Sequence, residues 1–198
     1  IVDSVMDIDY AAGRITYDHA DELIRQIETQ GLKLEWIIET HVHADHLSAA
    51  PYIQQQLGGK IGIGANIQVV QETFGKVFNE GTEFQRDGSQ FDHLFHDGDT
   101  FKIGALDARV LHTPGHTPAC LTYVVADEHE TVAFVGDTLF AMGCGRLFEG
   151  DAAQMHANLQ RMATLPDDTV VYCAHEYTLS NARFAAVAEP DNAAIAAR

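Results

Sequence analysis

Basic residues are scarce in this chain. Lys and Arg number 12 against 29 Asp and Glu, which gives a net charge of −17 over 198 residues. Such a surface repels nucleic-acid phosphates and anionic lipid headgroups, and no basic cluster offsets it. Nucleic acid and membrane surfaces are therefore excluded as expected partners. The carboxylates are expected to serve solubility, with bound cations expected to offset part of their charge. Cysteine is also sparse. Cys120, Cys144 and Cys173 are odd in number and form no C-x-x-C pair, so a disulfide framework is not expected. A reducing compartment fits, the cytoplasm or a mitochondrial matrix. No apolar run reaches the roughly 18 residues that a membrane-spanning helix needs. The opening IVDSVMDIDY has no basic region ahead of an apolar run, so it does not read as a signal peptide. It starts without Met and inside a strand-like run, and we expect a preceding strand to have been removed. Repeats, low-complexity tracts and long linkers are missing too, which points to one domain over residues 1–198.

What is present alternates between apolar strands and amphipathic helices, the pattern of a layered α/β fold. Asp21–Gln30 places Leu23, Ile24 and Ile27 at helical spacing, and Gly31 stands where a helix stop is expected. Trp36–Glu39 reads as a short strand that runs directly into THVHADH. Leu47–Leu57 reads as a helix ended by Gly58 and Gly59. Between Asp97 and Phe140 the period changes to two. TFKIG, LDARVLH, CLTYVVA and TVAFVG are predicted strands separated by turn signals. Asp151–Ala163 returns to helix, VVYCAH is a strand that ends at a histidine, and Leu179–Ala188 is a last helix stopped by Pro190.

Four separated stretches carry the chemistry. THVHADH contains His41, His43, Asp45 and His46, HTPGHT contains His116, FVGDT contains Asp137, and AHEY contains His175. Each stretch lies at the C-terminal end of a predicted strand or in the loop after it, where layered α/β folds place reactive groups. A helix would aim His41, Asp45 and His46 to one side and His43 elsewhere, whereas a tight loop can point all four inward. Imidazole and carboxylate together suit borderline divalent ions such as zinc, iron or manganese. A lone histidine is usually a surface or satisfied core residue, and His19, His93, His96, His129 and His156 are read that way. His112 is expected to shape the HTPGHT turn. Cys173 is expected to point away from the metals, and Cys144 lies nearer to them.

The set H-x-H-x-D-H with later His, Asp and His resembles the metallo-β-lactamase-fold superfamily over essentially the whole chain. The resemblance implies a four-layer αββα sandwich with the metals at one edge of two sheets. It implies a first metal on His41, His43 and His116, a second on Asp45, His46 and His175, and Asp137 as a bridge. Two branches are visible. From about Glu39 to Val125, HVHADHLSAAPYIQQQLGGKIGIG and QETFGKVFNEGTEFQRDGSQFDHLF resemble the persulfide dioxygenases. From about Phe134 onward, GDTLFAMGCGRLFEG and LPDDTVVYCAHEYTLSNARFAAVAEPDN resemble glyoxalase II, the hydroxyacylglutathione hydrolases. A junction between Val125 and Phe134 would fall in a predicted hairpin turn, so a chimera of two related halves is one reading.

The glyoxalase II resemblance implies hydrolysis of a glutathione thioester by a water that two divalent metals activate, zinc or else iron or manganese. Asp45 and Asp137 would be the catalytic carboxylates. Arg146 in GCGR would meet the glycine carboxylate of glutathione, and Tyr177 in HEYT would contact the glutathione part. The chain departs from that family at Val42 and Ala44, where the usual motif is T-H-H-H-x-D-H. It also stops before the family's C-terminal helical domain. The dioxygenase resemblance instead implies one Fe(II) on His41, His116 and Asp137, acting on glutathione persulfide. A third expectation, from the mixed pattern, is a truncated or chimeric metal-binding scaffold with little turnover. The sequence carries no sign of oligomeric state.

Overall fold

A computed structural model describes residues 1–45 and 47–197. The first strands are short: β1 (Asp7–Asp9) and β2 (Arg14–Thr16) form an antiparallel ribbon. Helix α1 (Asp18–Thr29) follows. Asp18 and Asp21 sit in its first turn, where carboxylates oppose the helix dipole. It ends before Gly31, whose φ of +64° is the left-handed value that favours glycine. Next come β3 (Trp36–Ile38), α2 (Ala50–Leu57), β4 (Lys60–Gly64), α3 (Ile67–Val77) and β5 (His93–Phe95). Strands β3, β4 and β5 form an all-parallel sheet, and Val2 bridges Ile38 in parallel on its edge.

The second sheet is built from β6 (Thr100–Ile103), β7 (Leu106–His112), β8 (Leu121–Ala126) and β9 (Thr131–Gly136), which pair antiparallel in succession. The hairpin β10 (Leu139–Phe140) with β11 (Gly143–Cys144) leads to helix α4 (Ala152–Met162). Strand β12 (Val170–Cys173) then joins β9 in parallel. Helices α5 (Thr178–Ala188) and α6 (Ala193–Ala196) end the described chain. The four strands expected between Asp97 and Phe140 are β6 to β9. Helix α2 begins at Ala50 rather than Leu47, because Pro51 suits a first turn and the preceding residues belong to the loop that carries the histidines.

Period-two alternation sorts the side chains into layers. On β3, Ile37 packs outward with Ala20, Ile24 and Ile53 of α1 and α2. Ile38 on the same strand faces inward and meets Phe95, Val110, Leu121 and Tyr123 between the two sheets. On β7, β8 and β9 the neighbours Leu111, Val124, Ala133 and Val135 face the other way and pack on Met162 of α4. Helix α3 adds Ile67 and Val70 against Ile63 and Ala119. The order is helix, sheet, sheet, helix: the four-layer αββα sandwich that the resemblance implies. Both sheets deliver their C-terminal strand ends to one edge, where the loops after β3, β7, β9 and β12 meet.

Candidate metal centre

The loop after β3 is tied at both ends before its histidines are placed. Glu39 is buried at the strand end, and its Oε1 accepts from Ser48 Oγ at 2.7 Å. Met6 N donates to Leu47 O at 2.7 Å and Ala49 N donates to Ser4 O at 2.9 Å, so the N-terminal segment closes the far end. Burial pushes the Glu39 carboxyl up to about 8; nearby Asp3 raises it further and the Ser48 hydrogen bond opposes the shift. Tyr123 Oη donates to Glu39 O at 3.0 Å from inside the intersheet core.

Asp3 orients the first imidazole through Thr40. Its carboxylate accepts from Thr40 N at 2.6 Å and from Thr40 Oγ1 at 2.8 Å. With its proton so used, Thr40 Oγ1 accepts from His41 Nδ1 at 3.0 Å, which turns Nε2 of this buried ring toward the cluster. Burial lifts the Asp3 carboxyl to about 6 against the Thr40 hydrogen bonds. Gly136, just before Asp137, has φ +50°, and a Cβ there would lie 2.3 Å from Thr40 Oγ1. Only glycine lets β9 pass this close to the loop.

His116 arrives on the HTPGHT turn. The turn is held by Thr113 N donating to Cys120 O at 2.9 Å and by His112 Nε2, 2.8 Å from Pro118 O. His116 Nδ1 donates to Arg146 O at 2.9 Å, which fixes the tautomer and presents Nε2. That Nε2 lies 3.0 Å from His43 Nδ1 and 3.3 Å from Asp137 Oδ2. Burial pulls the His116 pKa below its ordinary value, which favours the neutral imidazole that ligates metals. His175, two residues past β12, places Nε2 3.5 Å from Asp45 Oδ2 and 3.6 Å from Asp137 Oδ1. Asp45 Oδ1 is 4.0 Å from His43 Nδ1.

The structure thus brings together six of the seven residues expected to bind metal: His41, His43, Asp45, His116, Asp137 and His175. His46 lies outside the described residues. Ligand atoms of His41, His43 and His116 all fall within 4.8 Å of one another. Two nitrogens on a common zinc ion, each about 2.0–2.1 Å from it, lie at most about 4.2 Å apart. Closing the set onto one divalent ion needs shifts of less than an ångström, so the donor set fits a metal of that class.

A cavity of about 560 Å³ opens in front of the cluster. His43, His116 and Asp137 line its deep side, and Arg146, Phe148 and Tyr177 line its exposed side. Arg146 pairs with no carboxylate among the described residues; its guanidinium lies over the Phe148 ring at 5.1 Å. The Phe148 ring meets His43 and His116 edge to face at 4.7 and 5.3 Å. Tyr177 stacks on His175 at 5.3 Å and packs on Phe140 at 5.1 Å. Cys144 also lines the cavity, whereas Cys173 is exposed and its Sγ donates to His175 O at 3.3 Å. Sequence reasoning missed Asp3, Thr40, Gly145, Phe148 and Asn181. Thr40 carried a signal as the residue that opens THVHADH, Gly145 and Phe148 lay inside GDTLFAMGCGRLFEG, and Asn181 lay in the stretch after AHEY.

Residues 1–175 match the metallo-beta-lactamase superfamily, and the chain belongs to it. It is 47% identical over 187 residues to a protein of Burkholderia pseudomallei named "probable metallo-hydrolase", covering 89% of this chain and 64% of that one. It is 40% identical over 175 residues to a hydroxyacylglutathione hydrolase of Acidiphilium cryptum, covering 88% of this chain and 64% of the relative. Among solved structures it superposes on ETHE1 from Myxococcus xanthus with a TM-score of 0.67 at 27% identity, covering 89% of this chain and 64% of that one. The chain therefore spans just under two thirds of the length of these relatives. No helix among the described residues is long and apolar enough to cross a membrane.

Proposed function

We propose that the chain is the catalytic domain of a metal-dependent hydrolase of glutathione thioesters. The observation that carries this reading is the placement of Arg146 and Tyr177 on the exposed side of the same cavity whose deep side holds His43, His116 and Asp137. A thioester carbonyl at the cluster would leave the anionic end of its thiol part to reach the guanidinium, which suits forked recognition of a carboxylate. The name of the Acidiphilium relative supports the same substrate class. The three free cysteines suit a reducing compartment such as the cytoplasm.

His41, His43 and His116 would hold one divalent ion, and Asp45, His46 and His175 a second, with Asp137 between them. Bound there, such ions would lower the pKa of a coordinated water far below its bulk value, to about 7. The chain supplies the rest. Thr40 and the Arg146 carbonyl fix the tautomers of His41 and His116. Asp45, exposed between His43 and His175, would be the carboxylate placed to take up a proton at the cluster and hand it to the leaving thiolate sulfur. Phe148 covers two imidazoles and limits solvent on that side. The products are the free carboxylic acid and glutathione.

A second reading rests on the 3.3 Å approach of Asp137 Oδ2 to His116 Nε2. With His41 these groups make a two-histidine, one-carboxylate set suited to one Fe(II), and so to oxidation of glutathione persulfide. Metal analysis of the full-length protein, with hydrolysis of S-D-lactoylglutathione and oxygen uptake on glutathione persulfide, separates the two. Thioester hydrolysis with two ions bound is expected. Oxygen uptake with one iron and no hydrolysis overturns the hydrolase reading, and metal binding with neither activity leaves a scaffold.

A further inference from the structure

Arg146 faces two ways. Its carbonyl accepts from His116 Nδ1, while its guanidinium lies over Phe148 on the cavity side. The position of one peptide therefore sets both the orientation of an imidazole and the reach of a cation. That peptide lies one residue, Gly145, beyond β10–β11, a hairpin with only two residue pairs, Leu139 with Cys144 and Phe140 with Gly143. An isolated ribbon of that size does not hold its own position in water.

What holds it comes from α5. Asn181 Nδ2 donates to Ala141 O at the hairpin tip at 3.0 Å. The same amide lies flat on Gly143, where a Cβ would sit 2.6 Å from Nδ2. Just ahead of the helix, at its N-cap, Tyr177 packs on Phe140 of the hairpin. Just past the hairpin, a Cβ on Gly145 would meet Asp137 O and His116 Nδ1, so the chain there passes close to the cluster. The turn is thus gripped between α5 and the metal-binding loops.

We propose that Asn181 is a positioning residue that acts through the hairpin on both halves of the site, the His116 imidazole and the Arg146 guanidinium. The Arg146 half rests on the thioesterase reading; the His116 half does not. Asn181 also lines the cavity beside Arg146 and Tyr177, and the effect we assign to it passes through its contacts with Ala141 and Gly143.

The test uses full-length protein loaded with Co(II), whose visible absorption reports ligand geometry, alongside steady-state kinetics on S-D-lactoylglutathione. Asn181→Ala is expected to change the Co(II) absorption and to raise KM about tenfold, the size of one lost hydrogen bond. Gly143→Ala keeps Asn181 but displaces its amide, and is expected to reproduce both changes without altering α5. Adding Asn181→Ala to Arg146→Ala is expected to raise KM little further, since both act on one contact. Leu179→Ala, exposed on the same helix, is the unaffected control. A Co(II) spectrum unchanged in both Asn181→Ala and Gly143→Ala overturns the proposal, and so do KM effects that multiply with Arg146→Ala. If the wild-type protein hydrolyses no thioester, the functional reading falls, and the Co(II) spectrum alone decides the role of Asn181.

Discussion

Ser48 Oγ donates to Glu39 Oε1 at 2.7 Å and so joins the two ends of the loop that carries His41, His43 and Asp45. The acceptor is a carboxyl in the protein interior, 4% exposed. Burying a charged carboxylate is costly, so this group keeps its proton to unusually high pH.

The consequence is a pH-dependent stability. In the unfolded chain Glu39 ionises near its ordinary 4.5, and in the folded chain near 8. Below 4.5 it is protonated in both states and makes no difference. Above that value the unfolded chain releases a proton that the folded chain retains. The stability of the fold therefore falls as pH rises toward about 8, and then levels off. Glu39→Gln keeps an acceptor for Ser48 and removes the titration. Thermal melts of metal-free protein should show the variant gaining on the wild type between pH 5 and 8, on the order of ten degrees. A difference in Tm that stays flat across that window would rule out a buried neutral Glu39.

Gly145 is required by contact. A Cβ there would lie 1.9 Å from Asp137 O and 3.1 Å from His116 Nδ1. The nearest obstacle is backbone and cannot rotate away. Gly145→Ala must push the turn off the cluster, at about 1–3 kcal/mol of stability for overpacking. It should also weaken metal binding, because the Arg146 carbonyl moves with the turn. Calorimetric metal titration and a thermal melt on the same sample test both parts; unchanged metal affinity would mean that the turn does not support His116.

The candidate metal-binding residues were legible because imidazoles and carboxylates at strand ends form a pattern of residue types. His41, His43, His116 and Asp137 could be grouped without coordinates. Their supports could not. Arg146 holds His116 with a carbonyl that every residue possesses, and Asp3 reaches Thr40 across 37 residues of sequence. Strand β4 was equally hard to read. Its KIGIG has two glycines, which ordinarily weaken a strand. Here the Phe95 ring occupies the space over Gly62, where a Cβ would meet Cε2 at 2.6 Å. Strand β5, three residues long, is too short for any period to show. The layers were clear where alternation ran longer, as in β7, β8 and β9.

Asp137 is flanked by two imidazoles, His116 Nε2 at 3.3 Å and His175 Nε2 at 3.6 Å. It is also 6% exposed, so little water competes for it. Removing even an outer partner of a metal ligand costs about 10–100-fold in affinity or activity, and removing this carboxylate should cost more. Asp137→Ala is expected to lose metal and turnover together while its far-ultraviolet circular dichroism stays native. Elemental analysis of the purified variant decides the matter: full metal content would place Asp137 outside the coordination sphere.

Arg146→Ala separates the two duties of that residue. The variant keeps its carbonyl, so His116 retains its acceptor and the metal content should equal that of the wild type. What it loses is the guanidinium over Phe148. A hydrogen bond to a charged partner is worth about 1.5–3 kcal/mol, so KM for S-D-lactoylglutathione should rise about 10- to 150-fold. The turnover number should change much less, because the cation binds a part of the substrate distant from the scissile bond. Arg146→Lys should recover only part of the loss, since an ammonium cannot match a carboxylate with two parallel donors. A small acyl thioester with no carboxylate on its thiol should be hydrolysed equally by variant and wild type. If that neutral substrate suffers as much as the glutathione thioester, Arg146 acts on the chemistry and not on recognition of the anion. If metal content falls with the side chain, the carbonyl alone does not orient His116.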